Sequence, residues 1–429
     1  MIDVGQLRRG LYVQLDLGWM DHPFPKGSFK ITSDDQIRTI RTLGLTQVRY
    51  FPTKSDPADK DAEGSSDDRG RSPVELGLSS QAAQQRLLTE ADALRDQRRE
   101  QLLAQQRSLA QCERRFDEAT RLYHRVLTEA SAKPIAARDE CIALVTNCVG
   151  EILMDGEAAI RLLSETNGDR SAMHPVNVMV ISLLLGKALG LPSQDLGDLG
   201  VAALLHDIGK EQLPERMRAL DESFTASEIA VYREHVHHSV KAGKRMGLSE
   251  IALTAIAEHH EMADGSGFPA VLKGPQMSMA GRILALVNKY DRLCNPARLV
   301  NSMTPHEALS IMFANQKSRF DAVALGAFIR MMGVYPPGSV VQLVNERYAI
   351  VVSVNSTRPL KPRVIVHDAS VPREEALILD LERTPELGIR RSLKPAQLPK
   401  AALEYLAPRQ RVSYFYERPG QQPPPEALV

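Results

Sequence analysis

The stretch ALLHDIGK, residues 203–210, carries an apolar helix pattern straight into the adjacent pair His206-Asp207. An imidazole beside a carboxylate, with Lys210 three residues on, can hold a metal and a phosphate together. Histidine is the commonest metal-ligating side chain, and seven of the chain's 11 histidines lie between positions 174 and 260. His174 precedes one apolar helix, His206-Asp207 end another, His235 lies on the next, and His259-His260 end a fourth. Neighbours on a helix are about 100° apart, so an adjacent pair at a helix end reaches two ions better than it chelates one. Two adjacent pairs therefore point to a two-metal centre. Imidazole and carboxylate ligands without thiolate suit iron, manganese, zinc or nickel. Two such ions about 3.5–4 Å apart can hold a bridging hydroxide and clamp both oxygens of a phosphoryl displacement. Asp207 is the natural bridge, and Lys210, one turn on, can offset phosphodiester charge.

Around this stretch, residues 134–332 are helical almost throughout, with Gly, Pro or a capping Ser or Thr at the connections. They form an all-α core of about 200 residues. After Tyr335-Pro336-Pro337-Gly338 the apolar period changes to two, which predicts a β-hairpin with at least one further strand in a β-rich extension over 333–408. Residues 409–429 read as a loose tail. Towards the N-terminus, residues 79–133 contain no Gly or Pro and many helix formers, and they predict a helical connector of one or two long helices. Leu102, Leu109, Phe116 and Tyr123 recur every seven residues, but Gln105 interrupts the seam. A homodimeric coiled coil and amphipathic helices lying on their own domain both remain open. Residues 55–78, dense in Asp, Ser and Gly, read as a flexible linker. Residues 1–54, with short apolar runs and one helix from 34 to 43, read as a small α+β module. The fold class is thus multidomain and mainly α.

Composition narrows the function. Lysines plus arginines equal aspartates plus glutamates at 53 each, so no global field gathers a nucleic-acid polymer, and any anion must be bound locally. No apolar run reaches the roughly 18 residues of a spanning helix, and residues 1–10 do not read as a signal peptide. A cytoplasmic protein is the expectation. Cys112, Cys141, Cys148 and Cys294 include no C-x-x-C pair and read as reduced core thiols.

His174, HDIGK at 206–210, His235, HHEMADGSGFP at 259–269 and RILALVNKYD at 282–291, in this order and spacing, resemble the HD-GYP branch of the HD metal-dependent phosphohydrolases. The resemblance covers roughly 140–330, and the N-terminal module resembles the uncharacterised domain that often precedes HD-GYP domains in bacterial proteins. It implies an all-α fold, a two- or three-metal centre of iron or manganese, and hydrolysis of cyclic di-GMP to pGpG or GMP. It makes His174, His206, Asp207, His235, His259 and His260 metal ligands, with Asp207 catalytic, and makes Lys210 a catalytic phosphate contact. His238 is the alternative to His235 if the register differs. It places Gly265, Gly267, Phe268 and Pro269 at the lip of the substrate pocket. Arg298 falls near a family arginine that contacts guanine or phosphate. Glu261 reads either as an acceptor ordering a histidine or as a helix-end charge.

Three departures matter. Gly267-Phe268-Pro269 stands where the family signature has Gly-Tyr-Pro. Arg170 replaces a carboxylate of three-metal members, which argues against a third metal. Asn288 replaces the last aspartate ligand; its amide oxygen can coordinate but brings no charge, and Asp291, one turn on, is the substitute if the helix shifts. Asn288 and Phe268 motivate the alternative to the enzyme: a non-catalytic domain that binds cyclic di-GMP or a partner such as a diguanylate cyclase (GGDEF) domain.

Overall fold

The computed structural model describes residues 1–15, 28–43, 45–56, 73–154, 158–164, 170–221, 223–354, 359–384 and 386–417, with the backbone alone at 42, 73–91 and 170–171. They divide into two compact units, one built on 1–104 with 368–377, the other on 105–367 and from 378 onward. In the first, β1 (Ile2–Asp3), β2 (Tyr12–Gln14), β3 (Ser28–Lys30) and β4 (Gln47–Tyr50) form an antiparallel sheet in the order β1-β4-β2-β3. Helix α1 (Asp34–Thr42) starts at Ser33, whose side chain forms a capping box with Gln36. It buries Ile37 and Ile40 against Val13, Ile31 and Val48.

Helix α2 (Pro73–Glu129) is one unbroken run and begins inside the segment read as linker, with a proline at its first position, where no N–H is needed. The rest of that linker, 57–72, lies outside the described residues. Phe116 and Tyr123 of the heptad stripe are buried with Cys112, Ala119 and Val126 in the core of the second unit, and Leu109 packs against it. Gln105, which broke the seam, accepts a hydrogen bond from Ile378 N at 3.1 Å. The stripe is therefore used within its own chain.

The second unit packs α3 (Pro134–Ile152), α4 (Arg170–Ala188), α5 (Ser193–Leu205), α6 (Ala226–Met246), α7 (Glu250–Glu258), α8 (Met279–Cys294), α9 (Pro305–Ala314) and α10 (Ala322–Met332). Helix α4 is buried on every side from 175 to 186, as a helix apolar all round must be. Thr225, Ser249, Ser278 and Thr304 each cap the following helix through a side-chain oxygen, which fixes where α6, α7, α8 and α9 begin. All four cysteines are free and buried, and burial pushes the Cys112 and Cys141 thiols up to about 12.

The C-terminal strands depart from the sequence reading. β6 (Val340–Leu343), β7 (Tyr348–Val354), β8 (Arg363–Val366), β9 (Leu379–Asp380) and β10 (Ile389–Leu393) form the expected antiparallel extension, followed by α11 (Lys400–Leu406). The sheet also contains β5 (Ala159–Leu162), from within the helical region, and β11 (Tyr414–Glu417), from the segment read as a loose tail, in the order β10-β6-β7-β5-β11. Every residue of β5 and β11 is buried. The aromatic run Tyr414-Phe415-Tyr416 has the strand preference and apolar area that the tail reading overlooked. Helical core and extension thus share one hydrophobic cluster. Among the described residues no helix is long and apolar enough to cross a membrane.

Candidate metal centre

Helix ends deliver the candidate ligands. His206 is the residue after α5, Asp207 follows it into a short 3-10 turn, His259 ends α7, and His235 lies inside α6. His206, His235 and His259 are completely buried, and each Nδ1 sits 2.5–2.7 Å from a carbonyl three residues back, at Ala203, Tyr232 and Ile256. A carbonyl only accepts, so Nδ1 donates and the Nε2 lone pair is turned inward. His174 is tethered differently, through Nδ1 to Asp291 Oδ2 at 2.6 Å.

The inward nitrogens meet in pairs. His174 Nε2 is 3.2 Å from His206 Nε2, and His235 Nε2 is 3.2 Å from His259 Nε2. Asp207 lies between the pairs. Its Oδ2 is 3.3 Å from His206 Nε2 and 3.6 Å from His174 Nε2, while its Oδ1 is 3.5 Å from His235 Nε2 and 3.7 Å from His259 Nε2. Two metal-competent groups result, His174-His206-Asp207 and Asp207-His235-His259-His260, sharing Asp207. The pair His206-Asp207 straddles both groups, whereas His259 and His260 fall in the same one. His237 is exposed and His238 only half-buried, so His235 is the residue of α6 that the cluster contains.

The chemistry of the set fits divalent cations. Facing lone pairs at 3.2 Å repel unless a cation lies between them, and these spacings suit ligands of one ion with bonds of about 2.0–2.2 Å. Asp207 Oδ1 and Asn288 Oδ1 are buried with no hydrogen-bond partner, as unfilled coordinating atoms would be. Burial pushes His235 down to about 3 and holds His206, His259 and His260 below their ordinary value, so all four stay neutral and free to ligate. Burial raises the Asp207 carboxyl, but Lys210 and His206 outweigh it and keep Asp207 well below the usual carboxylate range. Lys210 Nζ is ion-paired to Asp207 Oδ2.

The chain is similar to known proteins along most of its length. Residues 157–323 match the HD domain family, and residues 1–141 match a domain of unknown function (DUF3391). The cyclic di-GMP phosphodiesterase PA4108 of Pseudomonas aeruginosa is 28% identical over 408 residues, 92% of this chain and 92% of that protein. The chain belongs to the HD-GYP family. The cyclic di-GMP phosphodiesterase PdeB of Borreliella burgdorferi is 22% identical over 53% of this chain and 60% of its own length. A solved HDG"Y"P protein from Bdellovibrio bacteriovorus aligns with TM-score 0.43 and 14% identity, over 66% of this chain and 90% of that one.

The HD-GYP loop is built around Glu261. This fully buried carboxylate accepts from Ala270 N at 2.6 Å, Val271 N at 3.1 Å and Leu272 N at 2.9 Å, so it neither orders a histidine nor ends a helix as a solvated charge. Gly265 has φ +81°, and a Cβ on Gly267 would sit 2.4 Å from Met262 N and 2.5 Å from Glu261 Cα, so only glycine fits at 267. Phe268 stacks on His260 with centroids 4.5 Å apart and packs with Leu213, Phe224 and Tyr232, while Pro269 is exposed beside it. The aromatic face of the signature is thus kept without its hydroxyl.

Three sequence expectations are resolved by contacts. Asp291 does not replace Asn288: its Oδ2 holds His174, and its Oδ1 accepts from Asn177 Nδ2 and Asn295 Nδ2, both at 2.9 Å. Asn288 Nδ2 donates to His259 O at 3.2 Å, which leaves Oδ1 as its free oxygen. Arg298 is more than half exposed and pairs with Asp221 at 2.8 Å, and none of its described contacts reaches the histidines. The side chain of Arg170 lies outside the described residues. Sequence reasoning missed Asn177 and Asn295, which no motif marked, and Arg292, whose Nη1 lies 3.4 Å from His260 Nε2.

Proposed function

We propose that this chain is a metal-dependent phosphodiesterase that hydrolyses cyclic di-GMP to pGpG, to GMP, or to both. The observation that carries the reading is the Asp207 carboxylate, which turns one oxygen to each imidazole pair. A relative similar over nearly the whole chain bears the same activity in its name. His174 and His206 would hold one divalent ion with Asp207, and His235, His259 and His260 a second, with Asn288 Oδ1 as a neutral oxygen donor. Iron or manganese leads, with zinc or nickel also suited to such ligands. Bound there, such ions supply Lewis-acid polarisation of a phosphoryl oxygen and lower the pKa of a water nucleophile.

The chain's own residues do the rest. Tethered Nδ1 atoms keep the imidazoles in one tautomer, so no reorganisation is needed when ligands are called on. Lys210, beside Asp207, presents an ammonium to a phosphate oxygen, and Phe268 shields His260 from water by stacking. A diguanylate cyclase (GGDEF) domain is the partner we propose.

The test is turnover of cyclic di-GMP by the purified chain with manganese or ferrous iron, followed by chromatography of products. Asp207→Ala should abolish it. No turnover with any of the four metals would sink the reading. Tight binding without hydrolysis, unrestored by Asn288→Asp, would favour the binding-only domain instead.

A further inference from the structure

Arg292 is a charge that neither the ligand set nor the loop accounts for. Its Nη1 donates to Tyr232 Oη at 2.8 Å and approaches His260 Nε2 at 3.4 Å, and its guanidinium carbon lies 5.7 Å from the Tyr232 ring centroid. Lys210 Nζ stands 5.7 Å from the same centroid, so two cations flank one aromatic wall of the histidine cluster. Arg292 is half-buried, and its Nε and Nη2 have no hydrogen-bond or ion-pair partner among the described residues. No carboxylate among the described residues pairs with Arg292. A guanidinium pinned at one nitrogen with its other edge unpartnered is shaped to take two phosphate oxygens side by side.

One turn earlier on α8, Lys289 is half-buried, and its ammonium also has no hydrogen-bond or ion-pair partner among the described residues. Residues three apart on a helix share a face, so Lys289 and Arg292 present adjacent positive charges. Like charges held this close cost free energy; the Asp207 carboxylate, which makes no direct ion pair with Arg292, offsets part of it, and a bound anion would recover more. The lost carboxylate at Asn288, on the same helix, leaves this face more positive still.

We infer that Arg292 and Lys289 form a phosphate-binding subsite that grips a phosphodiester oxygen of the dinucleotide beside His260. The inference rests on the cyclic di-GMP reading above. It assigns substrate recognition to α8, apart from Arg298, which is spent on Asp221.

Calorimetric titration of cyclic di-GMP into the full chain in chelator tests it without turnover. Wild type binds, and Arg292→Ala and Lys289→Gln each weaken binding about tenfold to a hundredfold, the loss expected for one charge-assisted hydrogen bond. Arg292→Lys retains part of the affinity. Arg330→Gln, the same charge change at an exposed position of α10, leaves Kd unchanged. Folding is checked by thermal melts; if Arg292→Ala does not fold, Lys289→Gln and Arg292→Lys decide. Wild-type affinity in folded Arg292→Ala or in Lys289→Gln, or an equal loss in Arg330→Gln, overturns the subsite. A wild-type chain that neither binds nor hydrolyses cyclic di-GMP overturns the functional reading itself.

Discussion

Replacing Asp291 by asparagine removes one charge and no volume, and the contacts of Asp291 fix what must follow. The carboxylate accepts three hydrogen bonds with no exposure to solvent: His174 Nδ1 on Oδ2 at 2.6 Å, and the amides of Asn177 and Asn295 on Oδ1 at 2.9 Å each. Asparagine has one acceptor atom. If its oxygen faces His174, its NH2 points at two amide donors; if it faces them, its NH2 points at the Nδ1–H of His174. The first arrangement leaves two buried donors unpaired and the second forces His174 into its other tautomer, with Nε2–H turned to His206, so the metal-free protein should lose roughly 1–3 kcal/mol. Loss of the carboxylate also lowers the basicity of His174, and removal of such a partner usually costs about 10–100-fold in metal affinity. Urea unfolding of chelated protein and calorimetric titration with manganese measure the two effects separately. An Asp291→Asn variant with the wild-type midpoint and a manganese affinity within about threefold would refute the tether.

Two further outcomes follow from burial. His235 is held at about 3 and His206, His259 and His260 below their ordinary value, against about 6.5 in the unfolded chain. The unfolded chain therefore binds more protons between those limits. Chelated protein should be fully stable above about pH 6.5 and lose stability as the pH falls towards 3, by up to about 1.4 kcal/mol per pH unit for each histidine; a urea midpoint flat from pH 7.5 to 5 would contradict the burial. In Gly209→Ala, the new Cβ would lie 2.3 Å from both His235 O and Ser239 N, backbone atoms of α6 that cannot yield. The variant should be destabilised by about 1–3 kcal/mol or more and bind metal more weakly as His235 is displaced, which a melt and a manganese titration would read.

What could be read from the sequence and what could not divides along the range of the interactions. His206-Asp207 and His259-His260 are adjacent residues at helix ends, and the apolar period of α5 and α7 places those ends, so local pattern was enough. Glu261 looked ambiguous because its three partners are backbone N–H groups nine to eleven residues on, in a loop whose path no periodicity encodes. β11 reads as a tail in the sequence because a strand of four residues carries too few positions to establish a period, and its partner β5 lies some 250 residues away. That pairing matters to the site. Asn177 and Asn295 both donate to Val412 O at 2.9 Å, while Asn295 Oδ1 accepts from Val412 N at 2.9 Å and Asn177 Oδ1 from Tyr414 N at 3.0 Å. The same two amides hold Asp291, and Asp291 holds His174. Each asparagine thus uses its whole amide, one side for the C-terminal strand and one N–H for the carboxylate that aims a candidate ligand. A chain cut before Arg411 would leave those amides, and through them His174, without the frame that fixes them, although every recognisable motif would still be present.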